Sequence, residues 1–363
     1  MSNRRKFIGQ SLVGLSGLAL SSHAFANIIV PRQKDKLGVA LVGLGYYSRD
    51  LLAPALQLTQ NCYLAGIVTG TPSKIPEWQQ KYKIKDKNVY NYDNYDQLAN
   101  NPDIDVIYVV LPPSMHAEYS IRAANAGKHV WCEKPMAMSE AECQSMIDAA
   151  NKNKVKLSIG YRMQHEPNTI QIMRFQKDQT YGKVQKVTVA AGYREGRTDH
   201  WKQIKAMGGG VMYDMGVYPL NAARYATGLE PIAVTAKAST TRPEIYHEVE
   251  ETIVFDLEFP GGATAACEAS FGRGMNAMQV DCSNGWYKMG PFSAYSGIDG
   301  VTSDGIKLNK PINNEQAKQM DDDAMAIMKK QAVMVPGEEG LKDIRVVEAI
   351  YRSAKDGGRV SIG

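Results

Sequence analysis

Hydrophobic positions along the chain change their period near the middle. Between 37 and 160, short continuous apolar runs alternate with longer amphipathic stretches: Val39-Ala40-Leu41-Val42, Leu64-Ala65-Gly66-Ile67-Val68, Val106-Ile107-Tyr108-Val109-Val110-Leu111, His129-Val130-Trp131-Cys132 and Val155-Lys156-Leu157-Ser158-Ile159. The runs have strand length. The segments Met115 to Ala126 and Ser139 to Lys152 are long enough for helices and lack internal proline. Strands apolar on both faces and separated by helices predict a parallel sheet covered on each side, a doubly wound α/β domain.

After Tyr161 the period becomes two, which suits strands that bury one face. Ile253, Phe255, Leu257 and Phe259 alternate ahead of the turn Pro260-Gly261-Gly262, and Ala263 to Ala269 returns as the partner strand. Asn284-Gly285 marks a further hairpin between Val280-Cys282 and Trp286-Tyr287. Leu341, Ile344, Val347, Tyr351 and Ala354 recur at helical spacing and predict a helix that closes the chain. The expected fold class is α/β: an N-terminal Rossmann dinucleotide-binding domain plus a C-terminal α+β domain with a large, mostly antiparallel open sheet.

Length agrees, because 363 residues exceed what one hydrophobic core usually serves. The first 26 residues stand apart. Arg4-Arg5 precedes Lys6-Phe7-Ile8, an apolar stretch from Ser11 to Leu20, and Ala24-Phe25-Ala26. A charged start, a short apolar core and an A-x-A end predict a cleavable export signal of twin-arginine type, with an apolar run too short for a stable membrane anchor. The expected organisation is 1–26 signal peptide, 27–36 arm, 37–160 dinucleotide-binding domain and 161–363 substrate and oligomerisation domain, with the mature protein in a periplasm. Net charge is only +4 and basic residues do not interleave with aromatics, which argues against nucleic acid as a partner. Cys62, Cys132, Cys143, Cys267 and Cys282 are odd in number and scattered, so neither a disulfide framework nor a metal site is expected.

Gly43-Leu44-Gly45-Tyr46-Tyr47-Ser48 follows the first strand and leads into a helical pattern near Arg49. Its first glycine permits a tight turn, its second lets backbone approach a pyrophosphate, and the helix N-terminus offers amide donors. Ser48 stands where a third glycine is usual. At the end of the second strand an NAD enzyme usually carries an acid that would repel a 2′-phosphate. Here Thr69-Gly70-Thr71-Pro72-Ser73-Lys74 offers hydroxyls and an ammonium, which points to NADP. A solvated lysine at 74 is the plain alternative.

Two further segments carry candidate chemistry. Glu133-Lys134-Pro135 ends a predicted parallel strand, the edge where such folds collect ligands. Gly208-Gly209-Gly210 precedes a helix expected over Tyr213 to Tyr225, kinked at Pro219, in which Asp214 and Tyr218 lie four apart on one face. Reversible alcohol oxidation needs a group that takes and returns the hydroxyl proton, and a tyrosine beside a lysine ammonium can do so. The bland alternatives are a surface lysine and a half-buried core tyrosine.

Together Val42-Gly43-Leu44-Gly45, the stretch Leu111-Pro112-Pro113-Ser114-Met115-His116-Ala117, Ala126 to Pro135, Gly208 to Tyr218 and Gly337-Glu338-Glu339-Gly340 resemble the Gfo/Idh/MocA oxidoreductase family. This is the group of glucose-fructose oxidoreductase and the inositol dehydrogenases. The resemblance covers nearly the whole mature chain and is nearest to the exported branch that holds NADP tightly. It implies Lys134, Asp214 and Tyr218 as catalytic residues, Tyr218 as acid/base, and a cis peptide before Pro135. It implies a cofactor site of Gly43, Leu44, Gly45, Tyr46, Tyr47, Thr69, Gly70, Lys74, Leu111, Pro112, His116, Glu133, Lys134, Arg162 and Trp201. Lys134, Tyr161, Asp214 and Tyr218 are the implied substrate contacts. Pro113 departs from the family's common asparagine, and the arm is short. The implied activity is oxidation of an aldose to its lactone, with the hydride passed to a second sugar, in a dimer or tetramer. The alternatives are a nicotinamide-dependent glycoside hydrolase on the same fold, or a catalytically silent sugar-binding relative.

Overall fold

The computed structural model describes residues 34–363. The expected signal peptide, and the arm up to Gln33, lie outside the described residues. Among the described residues no helix is long and apolar enough to cross a membrane.

A six-stranded sheet is built from β1 (Leu37–Val42), β2 (Cys62–Val68), β3 (Val89–Tyr90), β4 (Val106–Val109), β5 (His129–Cys132) and β6 (Leu157–Ile159). Its order is β3-β2-β1-β4-β5-β6, with every pairing parallel. The order reverses between β1 and β4, which opens the crevice where doubly wound folds bind ligands, beyond the carboxyl ends of the strands. Each residue of β1 and β4 is buried, as a sheet covered on both faces requires. The crossovers are α1 (Ala53–Ala55), α2 (Ile75–Tyr82), α3 (His116–Asn125) and α4 (Glu140–Lys152). Ser139 starts α4 by accepting a bond from the Glu142 amide, the usual device for an orphan N–H in a first turn.

Two helical starts differ from expectation in the same way. The turn after the glycine loop is a π turn over Tyr47–Leu52, and the run expected from Tyr213 begins as a π turn over Met212–Gly216. Each lies just ahead of a proline, Pro54 or Pro219, whose ring nitrogen cannot donate to the carbonyl four residues back. A widened turn is the local accommodation.

The second sheet is formed by β7 (Val184–Gly192), β8 (Ala233–Ser239), β9 (Thr252–Glu258), β10 (Thr264–Ser270), β11 (Met275–Cys282), β12 (Gly285–Met289), β13 (Gly300–Thr302) and β14 (Arg359–Ser361). The order is β13-β12-β11-β7-β10-β9-β8-β14, antiparallel except for β7 with β10. In β9 the buried residues are Ile253, Phe255 and Leu257, the alternation read from the sequence. They pack in one core with Leu220 and Ala223 of α6 (Val217–Thr227) and Ile344, Val347 and Ile350 of α8 (Gly337–Asp356). Burying each of the larger of these side chains stabilises the fold by about 1.5–3 kcal/mol. α5 (Pro167–Asp178) lies against α6.

Two expectations are corrected. The chain does not end on α8, because Gly357-Gly358 turn it back and β14 adds an edge to β8. Nor does everything after 161 belong to the second half: α7 (Glu315–Met328) returns to the first, where Ala317, Met320, Ala324 and Ile327 share a core with Leu41, Ile67 and Trp131. The apolar stripe of α7 has no strand partner in sequence that would announce this return. All five cysteines are unpaired, and Cys282 alone is less than fully buried.

Candidate active site

The glycine loop is set by two different demands. Gly43 has φ +88°, and a Cβ there would stand 2.4 Å from the Val110 carbonyl of the neighbouring strand's exit, so the fold itself requires glycine. Gly45 is the opposite case. A Cβ there would meet no protein atom within 4 Å, yet Gly45 lines the crevice. Packing leaves that position free, so the backbone at Gly45 is open to a group in the crevice. Ser48, in place of a third glycine, is buried and donates its hydroxyl to the Gly43 carbonyl at 2.6 Å, locking the loop. A Gly45→Val variant is therefore expected to unfold at the wild-type temperature while losing at least about tenfold in dinucleotide affinity, measured by fluorescence titration. Equal affinity would show that nothing approaches the loop there.

The crevice holds about 630 Å³, within the roughly 300–1,000 Å³ of small-molecule sites. It follows the carboxyl edge of the first sheet. Thr69, Gly70 and Lys74 line it beyond β2; Gly43, Leu44, Gly45, Tyr46 and Tyr47 beyond β1; Leu111 and Pro112 beyond β4; Glu133 and Lys134 beyond β5. Three strand spacings, about 14 Å, separate the Lys74 end from the Lys134 end. Lys74 donates to the Leu44 carbonyl at 2.9 Å, so its ammonium is held beside the glycine loop instead of waving in solvent. Thr69 is buried, and its hydroxyl oxygen accepts the Thr71 amide.

At the β5 end the second half of the chain closes over the crevice with Trp201, Asp214 and Tyr218. The Lys134-Pro135 peptide is cis. Lys134 Nζ donates to the Asp214 backbone carbonyl at 2.6 Å, lies 3.6 Å from Asp214 Oδ1 and sits 4.7 Å from the centre of the Tyr218 ring. Burial works against the charge on all three groups, but their proximity outweighs it. Burial alone would lift the Tyr218 hydroxyl, yet the Lys134 and Arg162 cations bring it below the ordinary tyrosine value. Burial likewise opposes ionised Asp214, while Lys202 and Lys134 hold it below the carboxylate range. Desolvation would lower Lys134; Tyr218 and Asp214 more than offset it, so Lys134 stays protonated. Glu133, buried, accepts from the Tyr108 hydroxyl at 2.7 Å, and desolvation raises its carboxyl. The arrangement is a polarised tyrosine beside a fixed ammonium, facing a dinucleotide-sized crevice.

Three implied contacts lie behind the wall of the crevice. Arg162 is 4% exposed and ion-paired with buried Glu315 of α7, with its guanidinium 5.6 Å from the Tyr218 ring centre and 4.6 Å from that of Tyr295. It acts on the site through Tyr218. Tyr161 is buried and lines a small inner cavity behind Tyr218 instead of the crevice. His116 is buried, with one ring nitrogen 2.8 Å from the Leu111 carbonyl and the other 2.8 Å from the Pro135 carbonyl, so it braces two crevice loops. Tyr161 directly follows Gly160, which does line the crevice, and packing turns its side chain to the other side.

Sequence reasoning missed Arg197, His200, Lys202 and Tyr295, which all line the crevice. Charged residues in a loop without periodicity look solvated, and only Trp201 stood out there. The segment Gly337 to Gly340 has a structural role: Cβ atoms at Gly337 and Gly340 would stand 2.8 Å from Ile147 and 2.7 Å from Met136, so α8 packs directly onto the chain after Pro135. Pro113 takes the close approach of Gly208, whose Cβ would stand 2.7 Å from its ring.

Comparison with known proteins agrees with this geometry. Residues 37–161 match the oxidoreductase family model with an NAD-binding Rossmann fold, and residues 169–288 match the GFO/IDH/MocA C-terminal domain. The crystal structure of aldose-aldose oxidoreductase from Caulobacter crescentus, complexed with glycerol, is 39% identical, covers 90% of this chain and 99% of its own, and superposes with a TM-score of 0.87. D-xylose 1-dehydrogenase [NADP(+)] from Haloarcula marismortui is 24% identical, over 87% of this chain and 90% of the relative. D-glucoside 3-dehydrogenase from Escherichia coli is 26% identical, over 90% and 97%. With both domain models matched in order and a relative of 39% identity aligned over 90% of this chain, the chain belongs to the Gfo/Idh/MocA oxidoreductase family.

Proposed function

We propose that this protein is an exported NADP-dependent sugar oxidoreductase that oxidises an aldose to its lactone and passes the hydride to a second sugar. The observation that carries the reading is the grouping of Lys134, Asp214 and Tyr218 at the β5 end of a crevice whose other end holds Lys74. The similarity to an aldose-aldose oxidoreductase and to an NADP-linked xylose dehydrogenase supports the same substrate class.

The residues present fit a dinucleotide. Gly45 leaves the backbone open to a pyrophosphate, the β2 end holds no acid, and Lys74 stands ready for a 2′-phosphate. Bound there, NADP supplies the hydride acceptor and donor. Oxidation of an anomeric alcohol releases a hydride and a proton, and Tyr218, with its hydroxyl made more acidic by Lys134 and Arg162, takes that proton as general base. It returns the proton when the carbonyl of the second sugar is reduced. Lys134 and Asp214 orient the reacting hydroxyl, and Trp201 and Tyr295 shield it from water.

Export through Arg4-Arg5 and the Ser11 to Leu20 run would place the enzyme in a periplasm after folding, where a retained cofactor regenerated by two sugars needs no free pool. The open face of the second sheet, where Val254 is exposed, is the surface we assign to contact between copies in a homo-oligomer.

Protein purified without added cofactor should develop the near-ultraviolet band of reduced nicotinamide on mixing with an aldose, and lose it when a second sugar follows. No band with any aldose, with NADP supplied, would refute the reading. Lys74→Met should weaken NADP binding roughly tenfold to a hundredfold, the loss of one charge-assisted bond, and leave NAD binding unchanged.

A further inference from the structure

Asp214 is served by two lysines, and only one of them belongs to the constellation already described. Lys202 stands on the short turn Trp201–Gln203, and its ammonium, 14% exposed like that of Lys134, donates to Asp214 Oδ2 at 2.6 Å. It also donates to the Tyr193 hydroxyl at 2.6 Å, and that hydroxyl lies 3.2 Å from the same carboxylate oxygen. The backbone joins the arrangement: the Lys202 carbonyl accepts the Gly210 amide at 2.9 Å, tying the turn to the glycine segment ahead of Asp214. The rings of Tyr193, Trp201 and Phe271 surround the Lys202 ammonium at 5.1 to 5.7 Å, which excludes water and strengthens its interactions.

The two carboxylate oxygens are therefore unequal. Oδ2 is filled by Lys202, and it shares the single Tyr193 hydroxyl proton with Glu195 Oε2, 3.1 Å from that hydroxyl. Oδ1 is 3.6 Å from Lys134, beyond hydrogen-bond length, while Lys134 makes its short bond to the Asp214 backbone. Oδ1 is left to accept from a ligand.

We propose that Lys202, held by Tyr193, is a positioning residue that neutralises Asp214 and turns Oδ1 toward a sugar hydroxyl, which leaves the Lys134 ammonium to serve the Tyr218 phenolate. The inference rests on the function proposed above and deepens it. Without Lys202, Lys134 would be the one ammonium shared between Asp214 and the phenolate, with Arg162 set against the Tyr218 ring alone. The groups facing Asp214 are Lys134 from the β5 edge, Lys202 with Arg197 and His200 from the intervening loop, Tyr193 beyond β7 with Glu195 on its hydroxyl and on Arg197, and Tyr218 on α6. The His200 imidazole is driven down to about 4, by burial first and then by Arg197 and Lys202, so at neutral pH it adds no cation.

The test reads the carboxylate directly, in the cofactor-loaded protein, by carbon-13 NMR of labelled aspartate, with the Asp214 resonance assigned by its loss in Asp214→Asn. In the wild type that signal should stay flat through the ordinary carboxylate range. In Lys202→Met its midpoint should rise by about one unit or more, the effect of removing an opposite charge at contact. The KM for the sugar should rise about tenfold, with kcat less affected, and Lys202→Arg should restore both. Lys202→Gln, which keeps a donor without the charge, serves if the methionine variant does not fold. An Asp214 titration unchanged from wild type in either neutral variant overturns the proposal. If no aldose reduces the cofactor of the loaded wild type, the assigned function fails instead, and the titration still reports on Lys202.

Discussion

Tyr218→Phe is expected to lower the rate of sugar oxidation by about 10²- to 10⁴-fold, the range for loss of a positioned general base, while dinucleotide affinity stays within a factor of about two. The argument is electrostatic. The phenol lies in a site that, by burial, would keep it protonated, and the Lys134 and Arg162 cations reverse the sign of that effect. Phenylalanine keeps the ring over the Lys134 ammonium and removes only the oxygen, so packing survives and proton transfer does not. Because the hydroxyl titrates below its ordinary value, the wild-type oxidation rate should climb with pH through that lowered midpoint, and the climb should vanish in the variant. Stopped-flow measurement of the first half-reaction checks this. A variant that retained more than about a tenth of the wild-type rate would remove Tyr218 from the proton-transfer role.

The largest effect on stability is expected from Arg224→Met. Arg224 on α6 is 4% exposed and bonds Asp343 of α8 at 2.6 Å, Glu339 at 3.0 Å and Glu230 at 2.7 and 2.8 Å. Asn221 donates to the other oxygen of Asp343. This knot fastens α6, which carries Tyr218, to α8, which packs on the chain after Pro135. Removing the cation leaves the buried Asp343 carboxylate with no opposite charge, though it keeps the Asn221 bond, at a cost of about 3–5 kcal/mol in denaturant unfolding. The pH dependence has a definite sign. Burial raises the Asp343 carboxyl even against the Arg224 charge, so its folded value lies above its unfolded one. Such a group supports the fold at low pH and loses that support as pH rises through the folded value. Losing Arg224 raises the folded value further, so the deficit should be smaller in mildly acid solution, where Asp343 takes up a proton, than in mildly alkaline solution. Equal deficits at both would mean that Asp343 is not the group left unpaired.

Local pattern determined a good deal. The alternation of apolar runs and helices gave the parallel sheet, because strands covered on both faces must be apolar throughout, and the period of two in β9 and β10 gave the antiparallel partner. Gly43 to Gly45, Glu133 to Pro135 and Asp214 to Tyr218 were legible because each is a contiguous segment whose meaning depends on its own strand edge or turn. Tertiary structure alone decided what crosses between such segments. That α7 returns to the first sheet, that Arg162 backs Tyr218 instead of lining the crevice, that His116 braces two loops, and that Lys202 reaches Asp214 are all contacts between elements far apart in sequence. A charged side chain carries no local mark of whether its partner is water or a carboxylate on another element. Periodicity records which face of an element is buried, and the partners of the buried charges are fixed only when the elements pack.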